Sequence, residues 1–512
     1  MHAIAMNGSS VVVLDPRNSV SPDAELGALI HSDYSLRFPQ WTRVRDCVEG
    51  QDQIKGRKEI YLPRRVKQSD ASYEADLKRT VFFNATARTR QALLSSIFRR
   101  PGVVRLPNGI NAESVTRNGM SVRKVARWLA EEVITVTRAG GLVDLPAEES
   151  YVPEPFLCLY PAEHILSWSV DRGVLRMVLL AERIADESVT ANMFNVRGKW
   201  SIRMLALDEN GEYYQLTGTP QTFSNMMKPP VAGRIYPEVY GKRLTSIPFQ
   251  FFGAVKNDEQ PEKPLMLDIA DMNLAHYISY SNLERARAFV GSPIYTTFTD
   301  GKAADNDDPL IVSPEIVWEF GTSEKAEILE FRGTSMSSLE NGLEEKEEQM
   351  RILGARLMSQ RKNAAARSSE SDSQGTNSDD ATLGDVVDSV SSGLQNLLTI
   401  MADWKRLRKS EVEILLNKHF NAPNIGAREL RAIDACLNRS LRPEDIFTLL
   451  QESGMIAEDQ NKEEYVSWIE KLREQQEAAT RAKLNQPVTP PAQTSPSSRQ
   501  TTGPGPGSTN SG

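Results

Sequence analysis

Leu383, Val386, Val387, Val390, Leu394, Leu397, Leu398, Met401 and Trp404 fall on one continuous stripe at helical spacing. Such a helix is marginal alone in water, so the rest of the chain must supply a body that covers it. The run just before it, LMSQRKNAAARSSESDSQGTNSDDATLGDVV from Leu357 to Val387, has the opposite character, with almost no large apolar residue in its first two thirds. A further helical pattern, SLENGLEEKEEQMRILGARLMSQRK, precedes that run. Connections inside compact domains are usually about 4 to 6 residues, so a polar stretch of this length reads as a long functional or disordered loop.

The covering body is legible further upstream. Trp41, Val44 and Val48 repeat at helix spacing, with Gly50 and Gly56 as stops. The segment SYEADLKRTVFFNATARTRQALLSSIFRRPG reads as one long amphipathic helix ending at Pro101, and VRKVARWLAEEVITVTRAGG as another, closed by Gly140 and Gly141. From about residue 142 to 255 short apolar runs alternate with turn residues, which predicts an antiparallel sheet, and DENGEYY reads as a hairpin tip. Lys263 to Pro293 returns to helix; Ile294 to Ser338 reads as short strands and turns. Two long helices flanking a small insert therefore form a hairpin. Gly393 marks a candidate kink in the apolar helix. Ala427 to Ala482 reads as three helices, with Pro443 near a start and Gly454 near a stop, and the apolar-poor tail from Asn485 is expected to be disordered. The fold class expected is α+β.

The chain has 512 residues, which predicts two to four substructures. A formal net charge of -8 argues against a protein devoted to gripping nucleic acid, because phosphate binding is largely Lys and Arg neutralisation. Three cysteines, Cys47, Cys158 and Cys436, fit neither a disulfide framework nor a Cys-based zinc site. The start MHAIAMNGSSVVVLD lacks a basic n-region and apolar core, and no apolar run nears the roughly 18 to 20 residues of a membrane span, so a soluble, unexported protein is expected.

Motifs for catalysis are missing by sequence. No GxxxxGK[ST] occurs, and VYGKRLTS lacks the first glycine of a phosphate loop; HExxH and GxSxG are absent. His2, His31, His164, His276 and His419 are far apart and read as surface or capping residues. DNDDP at Asp305 to Pro309 reads as a solvated acidic turn rather than a calcium loop. No metal or cofactor is expected. Glu340, Glu344, Glu345, Glu347 and Glu348 lie near a helix start, where carboxylates favour the macrodipole; a solvated face is the plainer reading and an acidic wall the sharper one. Asn84 and Arg88 sit four apart, with Arg99 and Arg100 at the helix end, where the dipole explains cations and nucleic-acid or subunit contact is the alternative.

Several stretches together resemble bacteriophage portal proteins, the ring-forming connectors between head and tail. The resemblance spans about Asp33 to Arg481 and rests on WTRVRDCVEG with YLPR, FFNATARTRQALLSSIFRRP, PLMLDIADMNLAHY followed by GSPI, and EKEEQMRILGARLM. It implies a portal-like subunit: an N-terminal arm (1–32), a helical and antiparallel-sheet wing (33–262), a first stem helix (263–293), a small α/β clip (294–337), a second stem helix (338–361), a tunnel loop (362–380), a long wing helix with connector (381–426), a helical crown (427–484) and a disordered tail (485–512). It further implies a ring of about twelve copies at one capsid vertex. Such a ring conducts DNA during packaging and ejection, docks terminase and tail or adaptor proteins, and nucleates procapsid assembly.

The implied partners are the chain itself, a terminase ATPase, the major capsid protein and scaffold, head-completion and tail adaptors, and double-stranded DNA held weakly in the channel, with no membrane. The implied location is the virion vertex, and the host cytoplasm during assembly. DNA contacts would come from Arg356, Arg361, Lys362, Asn363 and Arg367, half of the loop extending roughly 30 Å, while the five glutamates would line the channel wall. Acidic stem helices with few cations such as Arg351 would let DNA slide. No enzymatic activity is expected. The competing reading is a phage enzyme, a metal-dependent nuclease or maturation hydrolase with a dispersed active site.

Overall fold

The computed structural model describes residues 29–146, 154–185, 198–224, 229–291, 294–298, 325–329, 336–358, 369–418, 442–452 and 460–484, with only the backbone described over 184–185, 198–199, 294–298, 325–329, 355–358, 369–382, 448–449, 476–477 and 479–484 and at positions 289, 445 and 452. The fold is α+β, mixing helices with antiparallel sheets. It divides into two compact units, Met1–Asn421 and Ala422–Gly512.

In the first unit, α1 (Ser32–Glu49) ends where the sequence places its stop, at Gly50 with φ 103°. A short α2 (Gln51–Gly56) follows. The turn beyond folds back onto Asp46, which is buried and accepts hydrogen bonds from the Tyr61 hydroxyl (2.6 Å), Gln53 Nε2 (2.7 Å) and Arg57 Nε (3.0 Å). Buried carboxylates survive only with such a full set of donors.

The single helix expected through Pro101 is two helices, α3 (Asp70–Arg79) and α4 (Ala85–Ile97). Thr80 caps the first, its hydroxyl donating to Asp76 O at 2.7 Å, and Asn84 caps the second, its side chain accepting from the Ala87 N–H at 2.8 Å. Between them Phe82 turns inward and is buried. Val81 and the two phenylalanines match helical spacing, but the buried ring and the Asn84 cap are worth more than one uninterrupted ladder.

Next come β1 (Val103–Arg105), α5 (Val122–Val136), β2 (Ala139–Asp144) and β3 (Phe156–Pro161). Helix α5 does not run to the paired glycines. It closes on Thr137 in the left-handed region, and Gly140 and Gly141 lie inside β2. They are there for close packing: a Cβ on Gly140 would sit 2.4 Å from Phe249 Cζ, and one on Gly141 2.5 Å from Leu397 Cδ1. Strands β4 (Ile165–Asp171), β5 (Val174–Ala185), β6 (Gly198–Leu207) and β7 (Tyr213–Gly218) form an antiparallel meander, with DENGEYY at the β6–β7 tip. Helix α6 (Pro220–Ser224) follows. VYGKRLTS forms the tight hairpin of β8 (Glu238–Val239) and β9 (Lys242–Arg243), Tyr240 and Gly241 both having positive φ as a two-residue turn needs. Strand β10 (Phe249–Phe252) completes a second sheet in the order β10-β2-β3.

Helices α7 (Leu267–Val290) and α8 (Met336–Met358) flank the antiparallel pair β11 (Ile294–Phe298) and β12 (Lys325–Leu329). Helix α9 (Ser369–Trp404) carries the apolar stripe, and all nine of its residues are buried. At Gly393 a Cβ would come 2.4 Å from Phe252 Cε1, so close approach to β10 explains this glycine. The chain then pairs β13 (Glu413–Leu415) with β1. One core lies among α1, α4, α5, α7 and α9; a second lies between the sheets and α1, around Trp41 and Tyr213.

The polar run is not a loop to its end. Residues 369–380, which the expected tunnel loop includes, are the first turns of α9. Extending a helix that is already nucleated on a buried stripe adds one hydrogen bond per residue fixed, so scarcity of apolar residues does not prevent it. Residues 359–368 lie outside the described residues, as do most of the arm, the 299–324 part of the clip, DNDDP and the tail.

The second unit contains α10 (Pro443–Glu452) and α11 (Lys462–Leu484), packed around Ile446, Phe447, Leu450 and Ile469. Pro443 occupies the helix start expected of it; residues 419–441, where a third helix is expected, lie outside the described residues.

Candidate functional site: the paired helices α7 and α8

The first half of α7 is held by the body on every side that matters. Ile269, Ala270, Asn273, His276 and Tyr277 are buried there. Asn273 lies at 0% exposure, and its side-chain oxygen accepts from the N–H of Ala85 (3.1 Å), the N–H of Thr86 (3.2 Å) and the Thr86 hydroxyl (3.0 Å). Its amide nitrogen donates to Phe83 O at 2.7 Å. One amide thus satisfies the start of α4, whose first N–H groups have no partner within their own helix. Tyr277 packs edge-on against Phe82 at 5.8 Å, and Arg43 of α1 pairs with Asp271 at 3.1 Å.

Beyond Tyr277 the surroundings thin. Leu283 of α7 and Leu343 and Met350 of α8 are the described buried apolar side chains of this stretch. Two polar links fix the helices as antiparallel: Arg287 Nη2 to Glu340 Oε1 at 3.0 Å, and His276 Nε2 to Glu347 Oε1 at 3.2 Å. Helix α8 then returns to α4, where a Cβ on Gly354 would meet Thr89 Oγ1 at 3.3 Å.

The five glutamates separate by partner. Glu340 and Glu347 face α7 through the links just given. Glu348 pairs with Arg351 one turn on, whose guanidinium holds its carboxyl below the usual range. Glu345 accepts from Gln349 Nε2 at 3.4 Å, and Glu344 is exposed with no ion-pair partner among the described residues. Arg356 lies in the backbone-only end of α8; Arg361, Lys362, Asn363 and Arg367 lie outside the described residues. Asn84 is a helix cap, while Arg88 lies 5.9 Å from the Phe83 ring.

His276 is the residue that spacing did not reveal. The sequence gives it as a surface or capping histidine, but it is buried, tilted against Phe83 at 6.0 Å and stacked near Tyr280 at 6.3 Å. Its neighbours come from the α3–α4 turn and from α8 as well as from α7 itself, so spacing along the chain does not mark it. His31 does cap α1, accepting from the Asp33 N–H at 3.2 Å. Cys47 and Cys158 are buried free thiols, both pushed up by burial. Among the described residues no group of three or more His, Cys, Asp or Glu is placed to hold a metal ion, and no helix is long and apolar enough to cross a membrane.

Residues 264–405 match the family model described as a domain of unknown function (DUF4055). The match opens just before α7 and closes just after α9, so it takes in the helical pair, the β11–β12 insert and the apolar helix, but less than half of the chain. No curated protein matches. Among solved structures, a chain from the virion of a native gene transfer agent particle is similar, with a TM-score of 0.34 and 10% identity over 74% of this chain and 91% of that one. A likeness of that size supports neither fold nor function, which rest on the chain's own residues.

Proposed function

We propose that this chain is a portal protein, several copies of which close into a ring at a capsid vertex and conduct DNA. The observation that carries this is the α7–α8 pair: two long antiparallel helices, rooted in the body by Asn273 and Tyr277, flanking the antiparallel pair β11–β12 and bearing exposed carboxylates along α8. A closed ring needs a heterologous interface between neighbouring copies, and a rooted helical hairpin is a fitting element to line its centre. Carboxylates there keep phosphates from sticking, which suits a conduit better than a clamp.

In this reading the chain works without catalysis. A separate terminase ATPase drives the DNA, the terminase and the tail or adaptor proteins each dock at the β11–β12 insert, the capsid protein and scaffold surround the body, and the location is the virion vertex. Negative-stain imaging of the purified chain tests the proposal. Rings with a central pore are expected; compact particles without a pore at high concentration would remove it.

A further inference from the structure

The chain's negative net charge conceals a local reversal. Residues 85–127 hold nine Lys or Arg side chains against a single carboxylate, Glu113, in a protein of formal net charge -8. Only two of these cations are paired with a carboxylate among the described residues, Arg90 with Glu131 at 3.0 Å and Arg105 with Glu413 at 2.6 Å. Three others are laid over aromatic rings instead: Arg88 over Phe83 and Arg117 over Phe156, each at 5.9 Å, and Arg127 over Phe98 at 5.5 Å. Stacking of this kind restrains a guanidinium while leaving its N–H donors free.

The remaining four are Arg99 and Arg100, which follow α4, and Arg123 and Lys124, in the first turn of α5. Arg99, Arg123 and Lys124 are exposed. The Arg127–Phe98 contact brings the two groups to neighbouring parts of one surface. The macrodipole accounts for Arg99 and Arg100 at a helix C-terminal end, but it disfavours Arg123 and Lys124, which occupy a helix start where carboxylates are the stabilising choice. No acidic residue lies in that first turn. Cations placed against the helix dipole, without carboxylate partners, leave their charge for something outside the unit.

We propose that this α4–α5 surface binds the phosphate backbone of double-stranded nucleic acid, without reading its sequence. Six of the seven arginines and lysines outside the two ion pairs are guanidinium groups, whose planar fork matches phosphate oxygens, and their spread over two helix ends and a loop suits a line of phosphates better than one small anion. The inference does not rest on ring formation, and it differs from contact within a channel, because these residues belong to the helical body rather than to α7 and α8.

The test is fluorescence anisotropy of a labelled duplex of about 30 base pairs with the full-length chain, titrated between roughly 50 and 200 mM salt. Micromolar binding that weakens steeply with salt is expected. The quadruple variant Arg99→Gln/Arg100→Gln/Arg123→Gln/Lys124→Gln is expected to bind at least about tenfold more weakly and to lower the log–log salt slope by about 3 to 4. A control, Arg408→Gln/Lys409→Gln, removes two cations that are paired with Glu411 and Asp403 and is expected to bind as wild type. Circular dichroism and the unfolding midpoint confirm that both variants fold; should the quadruple variant fail, the pair Arg123→Gln/Lys124→Gln is used, with a slope change near 2. Wild-type binding that the folded variant does not alter overturns the proposal. So does no duplex binding together with binding of an acidic peptide spanning 336–351, which would make the surface a protein contact. Either result leaves ring formation to be decided separately by imaging.

Discussion

The two halves of α7 belong to one helix and live in different surroundings. Up to Tyr277 one face of it is buried and its one internal amide, Asn273, makes four hydrogen bonds; beyond Tyr277 burial falls to Ser281 and Leu283, and the polar links are solvated pairs such as Arg287 with Glu340. A residue's weight in stability follows from what is stranded when it is removed, so the rooted half holds the fold together and the distal half adds little to it.

That contrast breaks most sharply in the body. Arg45 of α1 is held by the buried carboxylate of Glu132 and the partly buried one of Glu163, with Nη2 2.7 Å from Glu132 Oε2 and 2.8 Å from Glu163 Oε2. Burial alone would lower its guanidinium, and the coulombic pull of Glu132 and Glu163 more than reverses this. Arg45→Met strands both carboxylates and is expected to cost about 3 to 5 kcal/mol in denaturant unfolding. Asn273→Ala strands the Thr86 N–H and hydroxyl and leaves the Ala85 N–H and Phe83 O only each other, and a loss of about 2 to 3 kcal/mol is expected by the same measurement.

Acid reaches the body through His164, which burial pushes down to about 4 from 6.5. The unfolded chain takes up this proton first, so the contribution is complete above about pH 6.5 and is lost as pH falls towards 4. Unfolding measured across that window is expected to show about 1 to 3 kcal/mol of stability that His164→Gln makes insensitive to pH. The smallest effect belongs to the distal half of α7: Arg287→Ala removes exposed pairs to Glu284 and Glu340, and its unfolding midpoint is expected to match wild type. A large loss there would place the distal half among the elements that hold the fold.

Much of the body was legible because its signals are local. The α9 stripe, the Gly50 stop and the β6–β7 tip each follow from spacing or from one residue's backbone freedom. What was missed depends on partners distant in sequence. The α3–α4 break looks helical until Asn273 and Tyr277 arrive from nearly two hundred positions away. Gly140 and Gly141 resemble a helix stop until Phe249 and Leu397 fill the space beside them. Residues 369–380 have the composition of a loop, yet they extend a helix anchored downstream. At the α7–α8 site the acidic run was plain in the sequence, while His276, which ties Glu347 to the body, was not.

The most direct test of whether the distal half of α7 and α8 serves an assembly is the mass of the purified chain over a range of concentrations. A ring-forming chain gives one discrete species at a fixed multiple of 57.1 kDa, expected near twelve copies. A single species of 57.1 kDa persisting at high concentration would contradict it.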